Sequence, residues 1–178
     1  GMMARLYNPG EKVDWALVLS GVQGAGKQRF FQALAGRAPN GKRYYTGSPR
    51  AKTAQNAALQ GLNVWLWEDQ EMASHKGATR EAMKATITTD TDNCRLPYEK
   101  KAEDIPRHYV MCGSTNDPEK LLSDPTGSRR FRVVRLPEYK FAQVHKSIQP
   151  CLRVDYVEKY RGQLLAEGRE RYKAGEKW

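Results

Sequence analysis

Long apolar runs are missing from this sequence, and so is any cysteine pattern. No stretch approaches the roughly 18 consecutive apolar residues that a membrane-crossing helix needs. The opening MMARLYNPGEK lacks the apolar core of a secretory leader. The three cysteines, Cys94, Cys112 and Cys151, are odd in number, widely spaced and in no C-x-x-C pair. A disulfide framework and a cysteine-based zinc site are thereby unsupported, and a reducing cytoplasm is the expected setting. The three histidines, His75, His108 and His145, form no ligand spacing with the cysteines and are expected to be structural. Acids are scarce too: 20 Asp and Glu against 30 Lys and Arg give a formal charge of +10. Such a balance suggests a polyanionic partner, nucleic acid most often, but charge alone leaves a merely soluble basic surface equally open, and position has to decide.

What the sequence does hold is LVLSGVQGAGKQRFFQALAG, residues 17–36. It reads as an apolar strand, a glycine-rich turn and an apolar-periodic helix. Gly21 and Gly26 allow the backbone to wrap so that successive N–H groups face phosphate oxygens. The helix beginning near Lys27 adds its positive dipole end, and Lys27 adds a point charge for the β and γ phosphates. The expected phosphate cradle is Gly21, Val22, Gln23, Gly24, Ala25, Gly26, Lys27 and Gln28. The bare G-x-x-x-x-G-K pattern is weak; the strand before it and the helix after it make it strong. Position 28 departs from the pattern, because Ser or Thr normally follows the lysine and gives Mg²⁺ a hydroxyl oxygen. Gln28 offers a longer, less well placed carbonyl, so efficient Mg²⁺-dependent turnover is in question and Gln28→Ser is expected to raise it.

The rest of the chain alternates strands and helices. NVWLWEDQE (63–71) is a buried-type strand running into acids, with Trp65 and Trp67 expected in the core. It puts Glu68 and Asp69 at the carboxyl edge of a sheet, where ligands bind in open α/β folds. One carboxylate is expected to hold Mg²⁺ through water, and the next to polarise an attacking water. RHYVMCGSTN (107–116) is a further buried-type strand, ending in Asn116, a candidate for orienting that water. GSRRF brings Arg129 and Arg130 before a last core strand, FRVVRL (131–136). An arginine at the rim of a phosphate site stabilises transition-state charge, often in a neighbouring subunit's pocket. RAKTAQNAALQG (50–61), TREAMKATITT (79–89, capped by Thr79) and a long amphipathic stretch (154–175) read as helices. The proline-punctuated, basic segment 93–106 reads as a projecting loop or hairpin; its Arg95, Lys100 and Lys101 are candidates for DNA phosphate contacts. The alternation predicts a mainly parallel sheet with helices on both faces. No linker or repeat interrupts it, so one domain over residues 1–178 is expected, with 153–178 as a C-terminal helical element.

The order of loop lysine, adjacent acids, Asn and Arg pair resembles superfamily-3 helicases. A closer resemblance is to the virulence-associated protein E family of phages and mobile islands. NPGEKVDWALVLSGVQGAGK, MKATITTDTDNCRLPY, DIPRHYVMCGSTN, LLSDPTGSRRF and RGQLLAEGRERYKAGEKW carry it over nearly the whole chain. The resemblance implies a P-loop NTPase core, AAA+ and helicase-like, that binds ATP and Mg²⁺ and acts on single-stranded or forked DNA in replication. It also implies a ring, expected to be a hexamer, in a bacterial host cell. A primase or helical domain often precedes such a core, and this sequence does not include one. The family's acidic motif tends to be E-x-x-E, which Glu68 and Glu71 satisfy, so either Asp69 or Glu71 partners Glu68. Three readings follow: a DNA-dependent ATPase, a nucleotide-binding but weakly hydrolysing recruiting module, and, ranked last for want of an acceptor lid, a small P-loop kinase.

Overall fold

The computed structural model describes residues 1–47, 61–70, 72–123, 128–137 and 152–176. Its centre is a five-stranded sheet built from β1 (Ala16–Ser20), β2 (Tyr45–Gly47), β3 (Leu66–Asp69), β6 (Val110–Thr115) and β7 (Phe131–Arg135). The spatial order is β2-β3-β6-β1-β7 and every pairing is parallel. Parallel strands need crossovers on the faces of the sheet, which explains the near-continuous apolar reading of β1 and β6.

Helices cover both faces. On one, α2 (Lys27–Ala35) buries Phe31 and Ala35 against Leu19, Leu66, Val110 and Cys112. The long α5 (Val154–Lys173) then lays Val154 and Val157 against Ala33 of α2. On the other face, Met83 and Ile87 of α3 (Gly77–Thr88) and Leu121 of α4 (Glu119–Leu122) join Val18, Trp67, Met111 and Phe131. Trp67 is core as expected; Trp65 is half-buried and stacks on Tyr44 with ring centres 4.2 Å apart. Among the described residues no helix is long and apolar enough to cross a membrane.

Segment 93–106 is the predicted hairpin, with β4 (Thr91–Cys94) antiparallel to β5 (Glu103–Pro106). Its base is fastened by two buried arginines. Arg107 reaches Asp92 Oδ1 through Nε at 2.8 Å and the Thr86 carbonyl at 2.6 Å. Arg5, on the short α1 (Met2–Tyr7), donates to the carbonyls of Tyr109, Thr89 and Glu11. Its guanidinium thus serves three acceptors that β-pairing leaves over.

Two expectations change, and one element is added. Thr79 does not cap its helix: the turn has already begun, and the Thr79 N–H donates to the Lys76 carbonyl at 3.2 Å. FRVVRL is an edge strand, pairing with β1 alone among the described strands, so only Phe131 is buried on it. The N-terminal segment, for which composition predicts no element, forms α1. The helix expected over 50–61 lies, but for Gly61, outside the described residues.

Candidate functional site

The carboxyl ends of β1, β3 and β6 lie side by side at one edge of the sheet, and the candidate residues gather there. From β1 the chain turns through Gly21–Gly26. Gly24 and Gly26 both have φ +84°, a left-handed conformation that costs a residue with a Cβ. No atom lies within 4 Å of a Cβ at Gly24, so conformation rather than space calls for glycine there. Ala25 is buried and pins the middle of the turn. Gly26 caps α2 with no side-chain hydrogen bond, leaving the first helical N–H groups without intrahelical partners beside the helix's positive end.

Lys27 folds back into this turn. Its ammonium donates to the carbonyls of Gly21 at 2.5 Å and Val22 at 3.0 Å, and to Asn116 Oδ1 at 2.7 Å. All three acceptors are neutral, so an anionic phosphate oxygen would make a stronger partner for the same donors. The structure therefore joins Lys27 and Asn116, the loop and the end of β6, as the sequence leads one to expect.

Glu68 is fully buried at the end of β3. Tyr45, on the neighbouring β2, donates a short hydrogen bond to its Oε2. Oε1 has no hydrogen-bond partner among the described residues; the Ser114 hydroxyl, close enough to act on the Glu68 carboxyl, donates to the Gln70 carbonyl at 3.3 Å. Burial pushes the Glu68 carboxyl above its ordinary range; Tyr45, then Ser114, counter this, Asp69 adds to it and the Lys27 charge opposes it. Burial also pushes the Tyr45 phenol up, as does its bond to Glu68. Cys112, opposite Glu68 on β6, is wholly buried with its thiol driven well up, so it is no nucleophile.

Asp69 takes a different partner. His75 Nε2 and Asp69 Oδ2 are 2.6 Å apart, and an ionised carboxylate there accepts from the imidazole N–H. Arg80 holds the His75 carbonyl at 3.1 Å. His75, expected to be merely structural, thus orients one of the two candidate acids. Glu71 lies outside the described residues, so the E-x-x-E alternative does too.

The chemistry of this donor set suits a magnesium ion held mostly by phosphate and water. Among the described residues no three His, Cys, Asp or Glu side chains converge into a cage, and Mg²⁺ bound to a nucleotide needs only one or two carboxylates. The unpartnered Glu68 Oε1 is such an oxygen. Gln28 stands on the first turn of α2, directly after Lys27.

Other candidates lie elsewhere. Arg129 is exposed and Arg130 half-buried in a short turn, Ser128–Arg130, just before Phe131, which pairs with Ala16 at the start of β1. They occupy the opposite edge of the sheet from the loop, about 16 Å away for five-residue strands. Within one chain they do not reach Lys27. Arg95, Lys100 and Lys101 are exposed between β4 and β5, a hairpin whose base also sits at that opposite edge, before β6 begins. Tyr98 at its tip is fully exposed, with φ +72°.

Comparison with known proteins bears on the fold and the family. No curated protein matches significantly. Among solved structures, the apo A form of the NrS-1 C-terminal region superposes with TM-score 0.55 at 15% identity, covering 92% of this chain and 38% of that one. A second structure of the same region gives TM-score 0.53 at 19% identity, covering 99% and 39%. At such identities the likeness is one of fold, and this chain spans under two-fifths of those structures. The model of the virulence-associated protein E-like domain, by contrast, matches residues 1–178, the full run of loop, acids, hairpin and Asn strand described above, and the chain belongs to that family.

Proposed function

We propose that this chain is an ATP-binding, DNA-dependent ATPase of helicase type that serves replication of a phage or mobile element. One observation carries the reading: Lys27, held by its own loop and by Asn116 at 2.7 Å, at the strand edge where Glu68 also ends. The parallel order β2-β3-β6-β1-β7, with the glycine turn directly after β1, supports a P-loop core of the AAA+ kind. The loop N–H groups and Lys27 bind the phosphates. Glu68 would hold Mg²⁺, which would supply charge neutralisation on the phosphates; Asp69, oriented by His75, and Asn116 align the attacking water. The basic hairpin contacts single-stranded or forked DNA.

Arg129 and Arg130, far from their own loop, support sharing of sites in a ring, a hexamer in its full assembly. Arg130 is the first candidate for the trans-acting charge. In stably mixed oligomers, Arg130→Ala subunits combined with Lys27→Ala subunits regain turnover if sites are shared, and gain nothing if each site is self-contained. A primase domain or subunit is a fitting partner for such a core.

The second reading, a nucleotide-binding but weakly hydrolysing recruiting module, is favoured by Gln28 at the hydroxyl position and by the Tyr45 bond that already engages Glu68. Steady-state ATP turnover with and without single-stranded DNA separates the two. Stimulation by DNA supports the ATPase, and nucleotide binding with no turnover under either condition supports the module.

A further inference from the structure

We infer that Tyr98, at the tip of the basic hairpin, is a stacking residue for an unpaired base of single-stranded nucleic acid. The inference rests on the reading of that hairpin as the element that contacts DNA.

The shape of the tip carries it. Leu96, Pro97, Tyr98 and Glu99 form a turn, closed where the Glu99 N–H donates to the Leu96 carbonyl at 3.2 Å. Pro97 stands at its second position and Tyr98, with φ +72°, at its third. That is the pattern of a type II turn, whose third position calls for glycine. Among the described residues, Tyr98 alone combines a side chain with a positive φ. A bulky residue is strained there, so the turn itself gives no reason for tyrosine.

Packing gives none either. Tyr98 has a relative exposure of 104%, so its ring buries nothing against this chain. The other exposed aromatics among the described residues each have a ring beside them. Tyr7 stacks on Tyr172 with ring centres 6.3 Å apart, and Tyr156 leans on Tyr160 at 4.5 Å. A large ring held open in a strained position stabilises the chain by neither route, which points to a ligand.

The surroundings select that ligand. Arg95, Lys100 and Lys101 flank the ring and are exposed, against one acid, Glu99. A flat ring among cations matches a strand that offers bases and phosphates together. In a duplex the base faces already stack on one another, so a single strand is the form that accepts the ring. The stem below is fixed: β4 and β5 pair from Thr91–Pro106 to Cys94–Glu103, and Asn93 Nδ2 donates to Asp104 Oδ1 at 2.6 Å. Pro97 and the turn bond then set the ring's direction, and its two side-chain torsions leave little freedom to lose. Every base has a face for such a ring, so the contact favours no sequence.

The test uses the whole chain and reads binding of a labelled oligo-dT by anisotropy at several salt concentrations. An abasic strand of equal length, a duplex and melting curves run beside it. Tyr98→Gly is expected to weaken oligo-dT binding about tenfold, the scale of one stacked base. It should leave abasic-strand and duplex affinity unchanged and keep the wild-type salt slope, since no charge is removed. Tyr98→Phe should bind as the wild type does. Tyr98→Gly should melt no lower than the wild type, because glycine is what the turn calls for. Four results overturn the assignment. One is unchanged oligo-dT affinity in Tyr98→Gly. Another is an equal loss on the abasic strand or the duplex. A loss shared by Tyr98→Phe would assign the role to the hydroxyl, and a lower melting point of Tyr98→Gly would assign it to the fold. The hairpin's DNA reading stands through any of these if Lys100→Ala, Lys101→Ala still weakens binding. No oligo-dT binding by the wild type removes both.

Discussion

The ammonium of Lys27 and the side-chain oxygen of Asn116, 89 positions apart in sequence, meet at 2.7 Å. The contact joins the turn after β1 to the end of β6, and β6 is the one strand that separates β1 from β3 and its acids. Asn116 therefore sits between the phosphate loop and the residues that would activate water.

This gives Asn116 a role in the reaction rather than in affinity. In Asn116→Ala, Lys27 keeps both loop carbonyls as partners, and the loop amides are untouched. Nucleotide affinity should remain near the wild-type value, while turnover should fall about 10²-fold through loss of water alignment. Calorimetry and steady-state hydrolysis on the same preparation check the split. A matching loss of affinity would make Asn116 a binding residue.

Glu68 is a place where stability and function oppose each other. Its carboxyl is held above the ordinary value of 4.5, burial being the largest cause. A raised carboxyl binds its proton more tightly folded than unfolded. It therefore contributes stability below pH 4.5 that is lost as pH rises toward the folded value. Glu68→Gln removes that loss and keeps an oxygen for the Tyr45 hydroxyl. The variant should melt about 2–4 °C higher near neutral pH, the scale of roughly 1 kcal/mol in a domain of this size. The difference should shrink as the pH is lowered toward the ordinary carboxyl range, and turnover should vanish. A melting point unchanged or lowered near neutral pH would contradict the account of Glu68 as a buried charge kept for its chemistry.

Much of this site is legible in the sequence, for a local reason. A glycine turn between an apolar strand and an amphipathic helix is written in consecutive residues, so Gly24, Gly26 and Lys27 can be read together. Glu68, Asp69 and Asn116 can be read because strand ends in a parallel sheet share one edge. Tyr45 cannot: its bond to Glu68 depends on β2 pairing beside β3, which is a tertiary fact. His75 escapes because no spacing rule links it to Asp69; a turn of Met72–Ser74 after β3 brings it back. FRVVRL reads as core by composition, yet lies at the edge because nothing in those residues records its neighbours. Arg129 and Arg130 are legible as a pair, but only the pairing of Phe131 with Ala16 puts them at the far edge.

The hairpin and the loop lie at opposite ends of the sheet, joined by the six residues of β6. DNA and nucleotide would thus act about 20 Å apart across one rigid strand. Lys100 and Lys101 are exposed on the hairpin, and contacts from them to DNA would fall on the phosphate backbone rather than on bases. The double Lys100→Ala, Lys101→Ala variant should bind single strands more weakly, with a salt slope shallower by about 0.7 for each DNA phosphate that the two lysines neutralise. Its melting point should hold, since the Arg107–Asp92 ion pair at the hairpin base is untouched. A slope identical to the wild type would move the DNA-binding role to another surface.

The most direct measurement is a calorimetric titration of ADP and of ATP into the wild-type chain and into Lys27→Ala, with melting curves to show that both are folded. Lys27 is the side chain that joins the turn to Asn116. The account predicts saturable binding by the wild type, with one site per chain, and loss of most of that affinity in Lys27→Ala. Equal affinity in the two folded proteins, or no binding by either, would contradict it.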